Sequence, residues 1–214
     1  MAASLEEDLD GEEMSEDTIA YRSLTDAQLW NRFKAGDRLA FSAMYQLHFS
    51  GLYNYGLKMT RNKESVKDHI QDLFIELWNR RLHLGSTDHI KLYLFTALRR
   101  KITDELNSKR SLTNAEELPD EYSFEFTFSP ESQLILEQTL HYQREDLLKS
   151  LNQLPKRQKE ALFLRYYEGM SCSEVASLMG VQLNYTYVLL SQALDSLRQL
   201  VNKPLLWVFF SLLS

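Results

Sequence analysis

A chain of 214 residues with 44% hydrophobic residues, seven Gly and a formal net charge of −6 has the composition of a packed, mostly helical protein of one large or two small domains, not of a disordered one. Its single cysteine, Cys172, excludes an internal disulfide and a Cys-rich zinc site and suits a reducing, cytoplasmic setting. The charge is uneven, running −7 over residues 1–23, +6 over 24–110, −7 over 111–140 and +2 over 141–214, so a basic block lies between two acidic strips that the average conceals.

In chain order, MAASLEEDLDGEEMSEDTIAYRS is acidic and aperiodic, which predicts a disordered arm over 1–23 and holds no apolar run of a secretory signal. Helical periodicity begins at Leu24, with Thr25 as N-cap, Leu29, Trp30 and Phe33 on one face, and a stop at Gly36. A second helix follows with Phe41, Met44, Tyr45 and Leu47. A third runs through KESVKDHIQDLFIELWNRR with Val66, Ile70, Leu73, Phe74 and Leu77 in a stripe. After the turn HLGSTDH, a fourth covers IKLYLFTALRRKITDELNSKR.

Residues 108–133 lose the period and hold Pro119 and Pro130, which predicts an acidic flexible linker with FEFTF as a short extended piece. Helix resumes near Gln133 and stops at Leu154-Pro155. Three more helices follow, separated by Gly169 and Gly180. The expected fold is all-α, with one small domain over 24–107 and another over 134–203. The tail, residues 204–214, contains LLWVFFSLLS, about half of the ~20 residues a membrane span needs. It therefore reads as a packing or partner-binding segment, with a membrane-surface anchor as the alternative.

No phosphate loop, HExxH or GxSxG occurs, no His pair has ligand spacing, and the acid pairs lie in polar segments where nothing separates their pKa values. The expectation is a non-enzyme with no catalytic residue, no cofactor and no metal. What remains is surface chemistry. Asp68, Asp72 and Glu76 stand at i, i+4 and i+8 and share one helix face, flanked by Gln71, Trp78 and the edge of Phe74. Downstream, Arg80, Arg81, Lys91, Arg99, Arg100, Lys101, Lys109 and Arg110 surround the turn that holds Ser86, Thr87, Asp88 and His89. Charge that follows phosphates beside rings that stack bases suits single-stranded DNA, although Tyr93 and Phe95 fit a core role equally well.

DHIQDLFIELW (68–78), IKLYLFTALRRKITDEL (90–106) and LPKRQKEALFLRYYEGMSCSEVASLMGV (154–181), in this order and at these separations, resemble the extracytoplasmic-function sigma factors of the sigma-70 family. The resemblance implies that the acidic helix docks on the β and β′ subunits of RNA polymerase core. It also implies that the basic block recognises and melts the −10 promoter element, with residues 86–89 around an extruded base, and that an anti-sigma factor is a partner. The family's usual Asn is here Arg100, so base preference does not transfer. The acidic linker either occupies a basic channel of the polymerase or is a solubilising tether.

The last helix departs most from the family. No Lys or Arg occurs between Arg165 and Arg198, and on the face that family members present to the −35 groove the chain has Asn184, Tyr185, Tyr187, Val188, Leu189 and Gln192, of which Tyr187, Leu189 and Gln192 replace basic positions of the family. With Leu190 at the core centre, a spacing of 100° per residue puts Thr186, Ala193, Leu194, Leu197, Leu200 and Val201 in the packed stripe and leaves Tyr185, Val188, Leu189, Gln192 and Asp195 outward. Three expectations stand side by side. The face reads −35 DNA with help from Lys156, Arg157, Lys159 and Arg165. It binds a protein that supplies targeting, such as a nuclease-inactive RNA-guided CRISPR effector. Or it is covered by the tail or by an anti-sigma factor. The resulting expectation is an alternative sigma factor. Its rivals are a sigma-like adaptor that does not direct initiation and a simple helix-turn-helix repressor, which leaves the acidic helix unexplained.

Overall fold

The computed structural model describes residues 21, 23–113, 122–126 and 138–200. The expectations for the body of the acidic arm and for the apolar tail lie outside the described residues, as do 114–121 and 127–137 of the linker. Among the described residues every regular element is helical. These are α1 (Asp26–Lys34), α2 (Arg38–Thr60), α3 (Lys63–Arg80), a 3-10 turn (Arg81–His83), α4 (Ile90–Thr113), α5 (Gln138–Gln153), α6 (Lys156–Leu162), α7 (Cys172–Met179) and α8 (Leu183–Leu200), with a π-helical turn, Phe163–Tyr167, continuing α6.

Local chemistry sets the boundaries. Thr25 caps α1 as expected: its hydroxyl accepts from the Gln28 amide while Gln28 Oε1 accepts from the Thr25 amide, so two of the helix's unmatched N–H groups are satisfied reciprocally. Asp37 and Asn62 cap α2 and α3 through their side-chain oxygens. Ser171 and Glu174 form a second capping box at α7, and Gly180, at φ 65°, closes that helix.

The first four helices build one core. α2 runs through the middle and packs against α1, α3 and α4, with Trp30, Phe33, Met44, Leu52, Tyr55, Ile70, Leu94 and Phe95 fully buried. Gly56 permits a close crossing, since a Cβ there would sit 2.7 Å from Val66 Cγ1. In the last block α8 packs against both α6 and α7 and buries Thr186, Leu189, Leu190, Ala193 and Leu197. Burial of Leu189 corrects the expectation that it faces outward: neighbours on both flanks widen the covered arc beyond a single stripe. Leu200, expected in the stripe, is 46% exposed because it lies at the far end of the helix.

The two blocks are packed directly against each other. α4 lies on α7, and an aromatic seam crosses the boundary. The Tyr55 ring stands 5.3 Å from Phe95 and 6.1 Å from Phe163, and Phe124 of the linker stands 5.8 Å from Phe163. The described part of the linker docks into this seam. Tyr122 and Phe124 are buried, the Glu125 amide donates to Lys58 O, and the Ser123 hydroxyl donates to Met59 O. The Asn152 side chain accepts from the Phe126 amide and donates to its carbonyl, at 2.9 and 3.0 Å. Residues 124–126 of the expected extended piece thus pair with side chains and a helix end, and helix α4, expected to cover residues 90–110, runs to Thr113.

Candidate nucleic-acid interface

On α3, Asp68, Asp72 and Glu76 form the exposed acidic row that their spacing predicts. Its neighbours are less available. Phe74 is 3% exposed and meets Phe41 and Tyr45 edge-on, which corrects its place among the docking residues: it belongs to the core stripe with Ile70 and Leu77. Trp78 is half-buried, its ring 5.1 Å from Phe41 and 4.5 Å beneath the Arg81 guanidinium. Gln71 is half-buried. Lys101 of α4 pairs with Glu76 at 2.5 Å, tying one end of the row to the basic helix.

The turn between α3 and α4 is held by residues with no motif signal. Trp30 Nε1 donates to Gly85 O at 2.8 Å, Lys34 Nζ donates to Leu84 O, and Asp26 Oδ2 accepts from the Ile90 amide at 2.7 Å. Asp26 therefore matches an unpaired N–H at the start of α4 from another helix, a role that sequence spacing cannot reveal. Ser86, Asp88 and His89 are exposed, and Thr87 Oγ1 accepts from the His89 amide. Tyr93 is half-exposed with its ring 5.2 Å from Trp30. Phe95 is fully buried against Tyr55, so of the two rings weighed for base stacking, it is a core residue.

The basic residues divide into two groups. Arg80 and Arg100 reach solvent, and Arg100 pairs with Asp104 one turn away, at 3.6 Å. Arg81 donates to Trp78 O. Lys91 and Arg99 instead turn toward the last block. Lys91 Nζ contacts Glu168 twice, at its carboxylate (2.7 Å) and its carbonyl (2.6 Å). Arg99 Nε donates to Glu160 Oε1 at 3.0 Å. Glu160, which is 0% exposed, also accepts from the Tyr55 hydroxyl at 2.5 Å and from the Tyr122 hydroxyl. Three groups, from α2, α4 and the linker, thus meet at one buried carboxylate of α6. Burial works against charge on Arg99, but the carboxylate beside it outweighs this and raises the guanidinium above its ordinary range. Burial, reinforced by the same carboxylate, raises both phenols. His89 Nδ1 lies 3.3 Å from Glu174 Oε1. In the sequence Lys156, Arg157 and Lys159 mark α6 as a source of cations, and Glu160, Glu168 and Glu174 stand at no spacing that assigns them a role; their sole signal is sign, three acids in a block expected to face DNA.

On α8, Leu183, Asn184, Tyr185, Tyr187 and Val188 are exposed, whereas Gln192, also exposed, accepts from Gln158 Nε2. Of the cations expected to assist from the preceding helix, Arg157 is exposed. Lys156 lies 5.4 Å over the Tyr122 ring, Lys159 donates to Asn152 O, and Arg165 donates to Met170 O. Among the described residues no helix is long and apolar enough to cross a membrane.

Residues 44–112 match the family model of sigma-70 region 2, and residues 144–197 that of sigma-70 region 4. The chain is 25% identical over 169 residues to the ECF RNA polymerase sigma factor SigM of Bacillus subtilis, covering 77% of this chain and 97% of that protein. It is 25% identical over 148 residues to the ECF RNA polymerase sigma factor SigL of Mycobacterium tuberculosis, covering 69% and 80%. Its fold is similar to that of the sigma factor RpoE in complex with the anti-sigma factor NepR from Bartonella quintana, with a TM-score of 0.56 at 20% identity, over 75% of this chain and 95% of that one. It is also similar to CnrH in complex with the cytosolic domain of CnrY, with a TM-score of 0.55 at 17% identity over 83% and 97%. With both regions matched in order over more than half of its length, the chain belongs to the extracytoplasmic-function group of the sigma-70 family, a family of transcription-initiation factors.

Proposed function

We propose that the chain binds RNA polymerase core through the exposed row Asp68, Asp72 and Glu76, and that it recognises and opens promoter DNA with Arg80, Arg81, the loop 86–89, Tyr93 and the α4 cations Lys91, Arg99, Arg100 and Lys101. The observation that carries this reading is adjacency. The acidic row and the basic helix share one four-helix block and are bridged by the Lys101–Glu76 pair, so docking on polymerase and contact with DNA occur on one rigid body. An anti-sigma factor is a natural further partner, as NepR is for the structurally similar RpoE. The test mixes the full chain with purified core polymerase and promoter fragments and scores opened thymines with permanganate. Asp72→Arg should abolish core capture without unfolding the chain; wild-type protein that neither captures core nor opens any fragment sinks the assignment.

A second reading concerns α8, and its exposed face favours it. Tyr185, Tyr187 and Val188 are 43%, 54% and 45% exposed with no cation among them, a composition suited to protein contact more than to phosphate. In this reading a partner that brings its own targeting, an RNA-guided effector included, replaces −35 readout. Direct, tight binding of a −35 duplex by the holoenzyme without any partner would remove its motive.

A further inference from the structure

We propose that Asp26, Trp30 and Lys34 of α1 are positioning residues for promoter reading: they fix the backbone of the loop between α3 and α4, and through it the base preference of residues 86–89. This rests on the assignment of that loop to the −10 element.

The three residues stand at i, i+4 and i+8 and therefore share one face of α1. Each takes a different main-chain group of the loop, in reverse chain order. Lys34 Nζ donates to Leu84 O, Trp30 Nε1 donates to Gly85 O at 2.8 Å, and Asp26 Oδ2 accepts from the Ile90 amide at 2.7 Å. Two carbonyls at the entry to the loop and the first N–H of α4 are thus held by a single helix. Asp26 and Trp30 are about 6 Å apart along it, whereas Gly85 and Ile90 are separated by five chain steps, able to extend to about 17 Å. The surplus bows away from α1, and Ser86, Asp88 and His89 are exposed.

The holding helix is itself fixed. Thr25 and Gln28 cap its start reciprocally, and Leu29, Trp30 and Phe33 are buried along its length. Trp30 uses its ring as well as its N–H. The ring lies 5.2 Å from that of Tyr93, whose amide donates to His89 O, so α1 places the loop and the half-exposed tyrosine beside it together.

A loop that selects a base by shape and hydrogen bonds discriminates only while its groups keep the productive geometry. Freed from α1, it adapts to the wrong base, and the penalty for a mismatch falls. Contacts to phosphate carry affinity without reading sequence, so loss of the clamp lowers selectivity and leaves most of the binding. Base preference is then set partly outside the reading loop, by residues that act through its backbone.

The test uses holoenzyme assembled from the full chain and core polymerase. It is offered single-stranded −10 oligonucleotides randomised at each position, and the bound and input pools are sequenced. Asp26→Ala removes the acceptor for the Ile90 amide, Asp26→Asn keeps one, and Lys34→Met removes the donor while keeping the stem. Discrimination at the position read by the loop should fall about ten-fold in Asp26→Ala and about five-fold in Lys34→Met. Asp26→Asn should restore it to within about two-fold of wild type, since an amide oxygen also accepts. Equal weakening for every sequence with selectivity intact marks a merely structural role and overturns the proposal, as does a loss in Asp26→Asn equal to that in Asp26→Ala. Hydrogen exchange on the wild-type full chain tests the clamp without any substitution. The Ile90 amide stands at a helix start, where N–H groups lack an intrahelical acceptor, and should exchange about ten-fold more slowly than that of Ser86; exchange as fast as at Ser86 overturns the clamp. A wild-type holoenzyme that selects no −10 sequence strikes the assignment of the loop, whereas a selective wild type whose variants select equally well strikes the clamp.

Discussion

Helices α4 and α8 are the two elements that the family resemblance sends to DNA, and they differ in how their charge is used. α4 is rich in cations, yet Lys91, Arg99 and Lys101 each hold a carboxylate of this same chain. α8 has no Lys or Arg until Arg198, and that residue pairs with Asp195. One helix has charge that is engaged; the other lacks it and shows Tyr185, Tyr187 and Val188 to solvent. The contrast teaches that a count of basic residues measures capacity for DNA, whereas the ion-pair partners decide when that capacity is available.

The sharpest way to break this comparison is at the carboxylate where the blocks meet. Glu160→Ala leaves the Arg99 charge and two phenols without their acceptor in a buried site, and removing one member of such a pair costs about 3–5 kcal/mol. Chemical denaturation of the full chain should show a loss of that order. A loss under about 1 kcal/mol would mean that water already reaches the site, and α4 would then be freely available in the unbound chain.

A second probe sits at the mouth of the seam. A cavity of about 360 Å³ between the blocks is lined in part by His48, Asn54, Lys91, Phe95 and Glu168. Burial pushes the His48 imidazole down to about 4 from its usual 6.5, with Asp26 pulling it up and Lys91 pushing it further down. A folded-state value below the unfolded one means that the neutral ring is favoured by folding. Its contribution is complete above pH 6.5 and is lost as pH falls toward 4, on the order of 3 kcal/mol in all. Urea titrations between pH 7 and 4 should therefore show a steeper acid loss for wild type than for His48→Gln. Equal slopes would place His48 in contact with solvent and the seam in an open form.

The smallest effect separates two neighbours on α8. Lysine at Leu189, which is 4% exposed, buries an unpaired charge and should cost about 3 kcal/mol in thermal or chemical denaturation. Lysine at Val188, which is 45% exposed, should change stability by no more than about 0.5 kcal/mol. If α8 lies against duplex DNA, Val188→Lys also steepens the salt dependence of holoenzyme binding by about 0.9 per phosphate gained; if the face meets a protein, the substitution weakens that contact and leaves the salt slope alone.

Much of the fold was legible because it depends on local pattern: the cap at Thr25 before an apolar stripe, the stop at Gly180 after one, and the shared exposed face of Asp68, Asp72 and Glu76 can each be read within a few residues. Phe74 and Leu189 were misplaced for the opposite reason. Whether a residue at the margin of a stripe is covered depends on how many helices flank its own, and periodicity contains no such information. The meeting of Tyr55, Arg99, Tyr122 and Glu160 lay further out of reach, since the four are separated by as many as 105 positions and no local spacing relates one to another. Charge bookkeeping by segment even pointed the other way, as it set acids of the last block apart from cations of the first when the fold brings them into contact.

The docked linker residues also set a distance. Twenty-five residue steps separate Thr113 from Gln138, a chain that can extend to about 85 Å at most. While Tyr122 to Phe126 stay pinned, that limit divides into at most about 30 Å from Thr113 to Tyr122 and about 40 Å from Phe126 to Gln138. Release of those five residues would replace the two shorter limits by the single longer one, so the docked segment sets how far α5 can stand from α4.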